Sequence, residues 1–219
     1  RVTQIKLELK DVVRTRTLQR QNRVRGETPT IALIGYTNAG KSTLFNHLTG
    51  AGVLSKDMLF ATLDPTMREV TLKSGQRAIL ADTVGFISQL PTELIEAFKS
   101  TLEEVVHADL LLHVHDASSQ FVSEDADDVV AALNDLGLDK LSQQQCVMHI
   151  FNKSDLLGDN DQRLWLGKKY IKGVFTSATA GTGIDDLLHA IDGYLAQDLL
   201  EAVVEIKPED GAARAWLYA

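Results

Sequence analysis

From Thr30 onward, short apolar runs alternate with segments whose apolar residues recur at helical spacing, and these changes of period mark the elements. Thr30–Ile34 reads as a short apolar strand, and Lys41–Thr49 as a helix stopped by Gly50. Residues 67–72 and 77–81 read as two strands joined at the turn Lys73-Ser74-Gly75-Gln76, which predicts an antiparallel hairpin. Pro91 and Thr92 open a helix running to His107, with Leu94, Ile95, Phe98, Leu102, Val105 and Val106 on one stripe. Further strands are expected over 110–115, 146–151 and 174–176, and further helices over 122–136 (ended by Gly137), 161–171 and 184–200. Strands alternating with helices predict an α/β fold. It is a six-stranded, mostly parallel sheet with one antiparallel strand and helices on both faces.

The two ends follow a different pattern. Val2, Ile5, Leu9, Val12 and Val13 lie at helical spacing, after which the segment becomes arginine-rich. Residues 1–28 therefore read as one helix that docks by its first half and ends near Gly26, with Pro29 beyond. Residues 29–201 form the main domain. In 202–219 a strand-like stretch over 202–206 and a turn over 208–211 read as the start of a further element. The chain opens at Arg1 rather than Met and reads as part of something longer.

Charge sharpens this division. The net charge is −8, yet residues 1–26 carry eight Lys/Arg against Glu8 and Asp11. A basic arm on an acidic body fits phosphate contacts with nucleic acid and fits a solvated helix face equally well. The acidic body argues against the main domain wrapping nucleic acid by itself. The single cysteine, Cys146, excludes an internal disulfide framework, sits in an apolar run and is expected in the core. It fits a reducing compartment, and a cytoplasmic location is expected. The sequence has no apolar run of the ~20 residues a membrane span needs.

The candidate chemistry sits where strands end. Gly35-Tyr36-Thr37-Asn38-Ala39-Gly40-Lys41-Ser42 is G-x-x-x-x-G-K-S between a strand and a helix, the context that gives the motif its meaning. Glycines let successive N–H groups face phosphates, and the following helix presents its positive end to the same anion. Lys41 can reach the outer phosphates, and the Ser42 hydroxyl can ligate Mg²⁺. Asn152-Lys153-Ser154-Asp155 ends another apolar strand, where ligand loops of an open α/β sheet lie. Asp155 can accept from the ring N–H and exocyclic amine of guanine, a paired donor edge that adenine lacks. The Lys153 stem can lie across the base, and Asn152 is expected to tether neighbouring loops. Ser177-Ala178-Thr179 follows the next strand and can offer a backbone N–H to the base carbonyl. Asp82-Thr83-Val84-Gly85 closes a further strand. Asp82 can hold a Mg²⁺-bound water, and the Gly85 N–H can contact the terminal phosphate, where triphosphate and diphosphate states differ.

These motifs in this order resemble the translation-factor-related P-loop GTPases, and their wording resembles the HflX family, with Obg as the related family it could be confused with. The phrases are Gly35 to Ser42 continued by Thr43-Leu44-Phe45-Asn46, then Leu59-Phe60-Ala61-Thr62-Leu63-Asp64-Pro65-Thr66, then Asp82-Thr83-Val84-Gly85-Phe86-Ile87. Thr101-Leu102-Glu103-Glu104-Val105 and Ala108-Asp109-Leu110-Leu111-Leu112-His113-Val114 are similar to the family as well. The likeness covers about 19–218.

The resemblance implies a Ras-like P-loop GTPase fold, with GTP or GDP as ligand and Mg²⁺ as cofactor. It implies a GTPase that binds the large ribosomal subunit and helps split or rescue stalled ribosomes. Much of that contact would come from an amino-terminal domain and linker helices, of which 1–25 would be the tail. Residues 202–219 would begin a small carboxy-terminal domain, and a monomer is expected. Phe60, Ala61, Thr62, Leu63 and Asp64 would form the first switch. Thr62 is favoured as a Mg²⁺ ligand in the triphosphate state, with Thr66 as its rival. Ser154 stands where the family has Ile, and His115 where it more often has an apolar residue. His113 and His115 share one strand face and read as core or surface histidines rather than a metal pair. The alternative function is a GTP-dependent switch that recruits a protein or membrane partner without touching ribosomes.

Two residues bear on hydrolysis. Phe86 follows Gly85 at the position where Ras-like switches carry a water-orienting Gln, and Phe cannot hydrogen-bond water. Slow intrinsic hydrolysis that a partner stimulates is therefore expected, with Lys41, Thr62 and Gly85 as the catalytic set. GTPases with Asn at the position of Asn38 often use K⁺ as a second bridging cation, which makes Asn38 a candidate K⁺ ligand.

Overall fold

The computed structural model describes residues 28–50, 66–83, 85–86, 105–135, 147–158, 160–170 and 173–196. The expected helix over 1–28 (all but its last residue) and most of that over 91–107, the first switch with Thr62, Val84, Cys146 and the tail 202–219 lie outside the described residues.

Six strands form one sheet: β1 (Thr30–Ile34), β2 (Thr66–Thr71), β3 (Arg77–Asp82), β4 (Leu110–Asp116), β5 (Val147–Asn152) and β6 (Val174–Phe175). They lie side by side in the order β2-β3-β1-β4-β5-β6. Only β2 runs antiparallel, paired with β3 through the Lys73–Gln76 turn, and every other pairing is parallel. Among the described residues the helices are α1 (Lys41–Thr49), α2 (Val122–Asp135), α3 (Asn160–Lys169) and α4 (Ile184–Leu195).

Composition explains the layering. The central strands β1 and β4 are almost wholly buried and read as continuous apolar runs, as strands covered on both faces must. On one face Ile31, Leu33, Leu80, Leu112 and Val114 pack against Leu44 and Phe45 of α1 and Leu187 and Ile191 of α4. On the other, Ala32, Ile34, Ala81 and Leu111 meet Val129 and Leu133 of α2, with Phe86 and Val105. A third cluster joins Phe151 of β5 to Leu166 of α3 and Val122 of α2. The buried residues of α2, Val122, Ala126, Val129 and Leu133, follow the three-and-four spacing that makes one helical stripe.

Element ends differ from the sequence reading by a residue or two. The strands β4 and β5 run one residue further, to Asp116 and Asn152, and these two polar residues are register partners in the ladder. A polar residue at a strand end reads as loop in the sequence, yet here its backbone still pairs. The described part of the last helix stops at Leu195, and α3 ends at Lys169.

All five parallel strands point the same way, so their carboxyl ends share one edge of the sheet. The loops following β1, β3, β4, β5 and β6 leave from that edge, where an open α/β sheet places its ligand.

Candidate nucleotide site

The first of these loops begins at Gly35, with φ of 148°, and passes through Asn38 and Gly40 at φ of 61° and 94°. The left-handed steps turn the backbone tightly enough to deliver the chain into α1, whose first N–H groups lack intrahelical acceptors. Close packing also demands glycine at Gly35, because a Cβ there would stand 2.2 Å from the Val114 carbonyl oxygen. Gly35→Ala is expected to cost about 3 kcal/mol of stability, combining backbone strain with an overlap against the β4 backbone. Urea denaturation of the variant beside the parent chain measures it.

Lys41, the first residue of α1, is buried and folds back over the loop. Its ammonium donates to the carbonyls of Gly35 at 3.0 Å and Tyr36 at 2.8 Å. Burial pulls its pKa down from 10.5 to about 8, against the opposing pull of the Asp82 carboxylate. Next to it, the Ser42 hydroxyl donates to Asp82 Oδ2 at 2.7 Å. A hydroxyl and a carboxylate facing each other at a helix start are the hard oxygen donors that Mg²⁺ takes, so the residues present fit that ion. Thr66 opens β2 and is the register partner of Asp82.

The strand after β1 in space, β3, ends at Asp82 and hands on to Thr83, whose hydroxyl donates to the Leu33 carbonyl. Gly85 and Phe86 then lie against the phosphate loop. The Phe86 N–H donates to Gly35 O at 3.1 Å, and the Thr37 N–H donates to Phe86 O at 2.8 Å. Gly85 has no room for a side chain: a Cβ would meet Thr37 at 2.8 Å and Lys41 Nζ at 3.1 Å. The Phe86 ring is 1% exposed and packs into the α2 face of the core. It is therefore turned away from the loop edge as well as unable to bond water.

Asn152 holds three loops together. Its Nδ2 donates to Ala39 O at 2.9 Å, and its Oδ1 accepts from the Ala178 N–H at 3.0 Å and from the Thr176 hydroxyl at 3.4 Å. This matches the tethering role expected of it from sequence. Gly40 faces the same amide so closely that a Cβ would stand 2.2 Å from Asn152 Nδ2. Lys153 takes a left-handed φ of 60°, and the following Ser154–Leu156 turn is a single 3₁₀ step carrying an exposed Asp155. The Ser154 N–H donates to Thr176 O at 3.0 Å, which fixes this turn against the β6 end. Ser177 braces the neighbouring loop: its hydroxyl accepts from the Ala180 N–H at 3.1 Å and lies 3.2 Å from that of Thr179.

Sequence reasoning passed over Asp116. Its carboxylate sits 2.6 Å from Lys153 Nζ and accepts from the Ser118 N–H and hydroxyl. Burial pushes this carboxyl up, but the Lys153 and Ser118 bonds outweigh it and hold the group below its usual range. The available signal was an acid at the carboxyl end of a parallel strand, the edge where ligand-facing residues collect. Asp116→Asn removes the charge that anchors the Lys153 stem. It is expected to weaken GDP binding about tenfold, or ~1.4 kcal/mol, in a calorimetric titration.

The geometry thus brings together Gly35–Ser42, Asp82, Thr83, Gly85, Asn152–Asp155 and Ser177–Thr179 along one edge.

Comparison with known proteins agrees with that geometry. Residues 30–153 match the 50S ribosome-binding GTPase family. The chain is 44% identical to GTPase HflX of Magnetococcus marinus over 221 aligned positions, covering 100% of this chain and 50% of the relative. It is 39% identical to GTPase HflX of Escherichia coli, again over 100% of this chain and 50% of that protein. The chain thus spans about half the length of these curated relatives. A solved GTP-binding protein from Sulfolobus solfataricus in complex with GDP superposes with a TM-score of 0.59. It is 26% identical, with 84% of this chain and 58% of that one covered. The site, the sheet order and the matches over most of the chain converge, and the chain belongs to the HflX family within the 50S ribosome-binding GTPases.

Proposed function

We propose that this chain binds GTP with Mg²⁺ and hydrolyses it to GDP and phosphate, as the nucleotide-dependent part of a cytoplasmic, monomeric GTPase that engages the large ribosomal subunit and helps split or rescue stalled ribosomes. The observation that carries the reading is the Asn152 clamp. One buried amide ties the phosphate loop, the Lys153–Asp155 turn and the Ser177–Thr179 loop into a single edge. Phosphate binding and base selection are thereby coupled in one rigid frame.

In this reading Gly35, Tyr36, Thr37, Asn38, Ala39, Gly40, Lys41, Ser42 and Thr43 hold the phosphates. Phe60–Asp64 and Asp82–Gly85 respond to the terminal one, and Asn152–Asp155 with Ser177–Thr179 take guanine. Ser42 and Asp82 (through water), with Thr62, would hold Mg²⁺, which supplies charge neutralisation between the outer phosphates when bound. Lys41 steadies the same charge from the protein side. The buried Phe86 leaves the attacking water without a partner from this position, so intrinsic hydrolysis is slow and a partner surface completes the site.

Asn38 supplies a candidate K⁺ ligand. GTP turnover is expected to run several-fold faster in KCl than in NaCl, and Asn38→Ala to erase the difference; equal rates in the two salts refute K⁺ use. Residues 1–25, with six net positive charges across 1–26, and the segment from 202 would belong to the ribosome-binding apparatus. Among the described residues no helix is long and apolar enough to cross a membrane.

The deciding experiment is co-sedimentation with large ribosomal subunits in the presence of a non-hydrolysable GTP analogue, beside GTPase assays with and without subunits. Binding with the analogue, and stimulated turnover, is the expected result. Recovery of the chain in the supernatant under every nucleotide, with turnover unchanged by subunits, refutes ribosome engagement and favours a switch acting on another partner.

A further inference from the structure

Behind the phosphate loop, on the sheet face covered by α2 and α3, three histidines converge. His113 and His115 alternate on β4, and His149 is the β5 register partner of His113. Their ligating nitrogens all lie within 4.8 Å of one another. His115 Nε2 is already 2.9 Å from His149 Nδ1, and the rings of His113 and His115 stand 4.0 Å apart between centroids. His113 is 1% exposed, and neither of its ring nitrogens has a hydrogen-bond partner among the described residues.

Packing alone does not account for this arrangement. The same layer contains Phe151 and Tyr170, stacked or tilted against His115 at 5.2 and 5.6 Å, so the face accepts carbon rings. A third or fourth hydrocarbon ring would fill the space without burying polar nitrogen. A buried imidazole with no partner costs roughly 1–3 kcal/mol. A cation that accepts its lone pair removes that cost, and it also draws in the other two rings.

We propose that His113, His115 and His149 form a three-nitrogen site for a borderline-soft divalent transition cation, best matched by Zn²⁺, next to the phosphate loop and separate from the Mg²⁺ position at Ser42 and Asp82. Neutral imidazole is the ligand form such cations require. Burial holds all three rings below their ordinary pKa, His115 at about 3 and His149 at about 4. With Zn–N bonds of about 2.0–2.1 Å, tetrahedral ligand atoms sit roughly 3.4 Å apart. The widest separation must therefore close by up to roughly 1.4 Å, and the hydrogen-bonded His115–His149 pair must open by roughly 0.5 Å.

Three protein ligands leave a fourth position for water or an anion. His113 and His115 line a cavity of about 10 Å³ with Thr37, Asp116 and Asp125, which is room for about one water. Asp116 and Asp125 lie on that wall, while the positive charges of Lys41 and Lys169 act on His113 and His115 respectively. Sequence alone showed two of the ligands and dismissed them. The third became visible only when the register placed His149 beside them.

Zn²⁺ competition against a chromophoric chelator tests the site, with Mg²⁺ and GDP in excess so that the nucleotide site is filled. The chain is expected to take up one equivalent, and Co²⁺ in place of Zn²⁺ to give the intense visible bands of a low-coordinate nitrogen site. His149→Ala and His115→Ala are each expected to weaken uptake by at least about 100-fold. A variant lacking the exposed His47, His107 and His189 keeps it. Retained GDP binding verifies folding, and the parent-chain titration stands without any variant. A chain that removes no Zn²⁺ from the chelator overturns the proposal. So does uptake that survives both ligand substitutions, or uptake that disappears with the exposed histidines.

Discussion

Asp155→Asn is expected to lower the affinity for GDP by about 10²–10³-fold while leaving the melting temperature of the nucleotide-free chain unchanged. A carboxylate facing the guanine ring N–H and exocyclic amine makes two charge-assisted bonds, each contributing roughly 1.5–3 kcal/mol when the partner site is protected from water. Losing the charge and presenting an amide N–H to a donor edge forfeits most of both. Stability is spared because Asp155 is exposed on a 3₁₀ turn whose geometry is held by other groups, the Ser154–Thr176 backbone bond and the Asn152 clamp. Xanthine carries a carbonyl where guanine carries its exocyclic amine. The variant amide can donate to it, so xanthosine diphosphate is expected to gain on GDP in D155N. Isothermal titration with GDP, ADP and xanthosine diphosphate reads all three affinities. An unchanged GDP affinity would remove Asp155 from base recognition.

What could be read from the sequence depended on whether a property was local. The G-x-x-x-x-G-K-S phrase carries its own conformation, so Gly35 at φ of 148° and Gly40 at 94° stand where the motif requires them. The apolar runs of β1, β4 and β5 announced buried parallel strands for the same reason. Properties set by register were not legible. The Asp116–Lys153 pair joins residues 37 apart in sequence and depends on β4 and β5 being neighbours with Asp116 opposite Asn152. His149 joined His113 by the same pairing, and a pattern read along one strand sees only His113 and His115. Phe86 lies between these cases. Its inability to bond water is chemistry and was readable, whereas its burial against Ala32 and Ile34 follows from the way Gly85 and Phe86 zip onto the loop after β1.

The asymmetry between binding and stability is sharpest at Lys41. Lys41→Met is expected to reduce kcat/KM for GTP by about 10²–10³-fold, the loss that follows removal of one preorganised charge from a developing phosphoryl anion. It is also expected to leave the nucleotide-free chain as stable as the parent or up to ~2 kcal/mol more so, because exchanging a buried charge for an apolar side chain of similar length relieves desolvation. The opposite signs follow from what the ammonium touches. Without nucleotide it is buried, its pKa is drawn down to about 8, and among the described residues its hydrogen bonds go to two loop carbonyls. Phosphate oxygens would give it full counter-charges, so the same burial that penalises the free protein strengthens the bound one. Differential scanning calorimetry without nucleotide and single-turnover GTP hydrolysis, run on the same preparations, separate the two effects. Parallel losses in stability and turnover would make Lys41 a structural residue whose catalytic effect is secondary. A stable variant with lost turnover places its charge on the reacting phosphate.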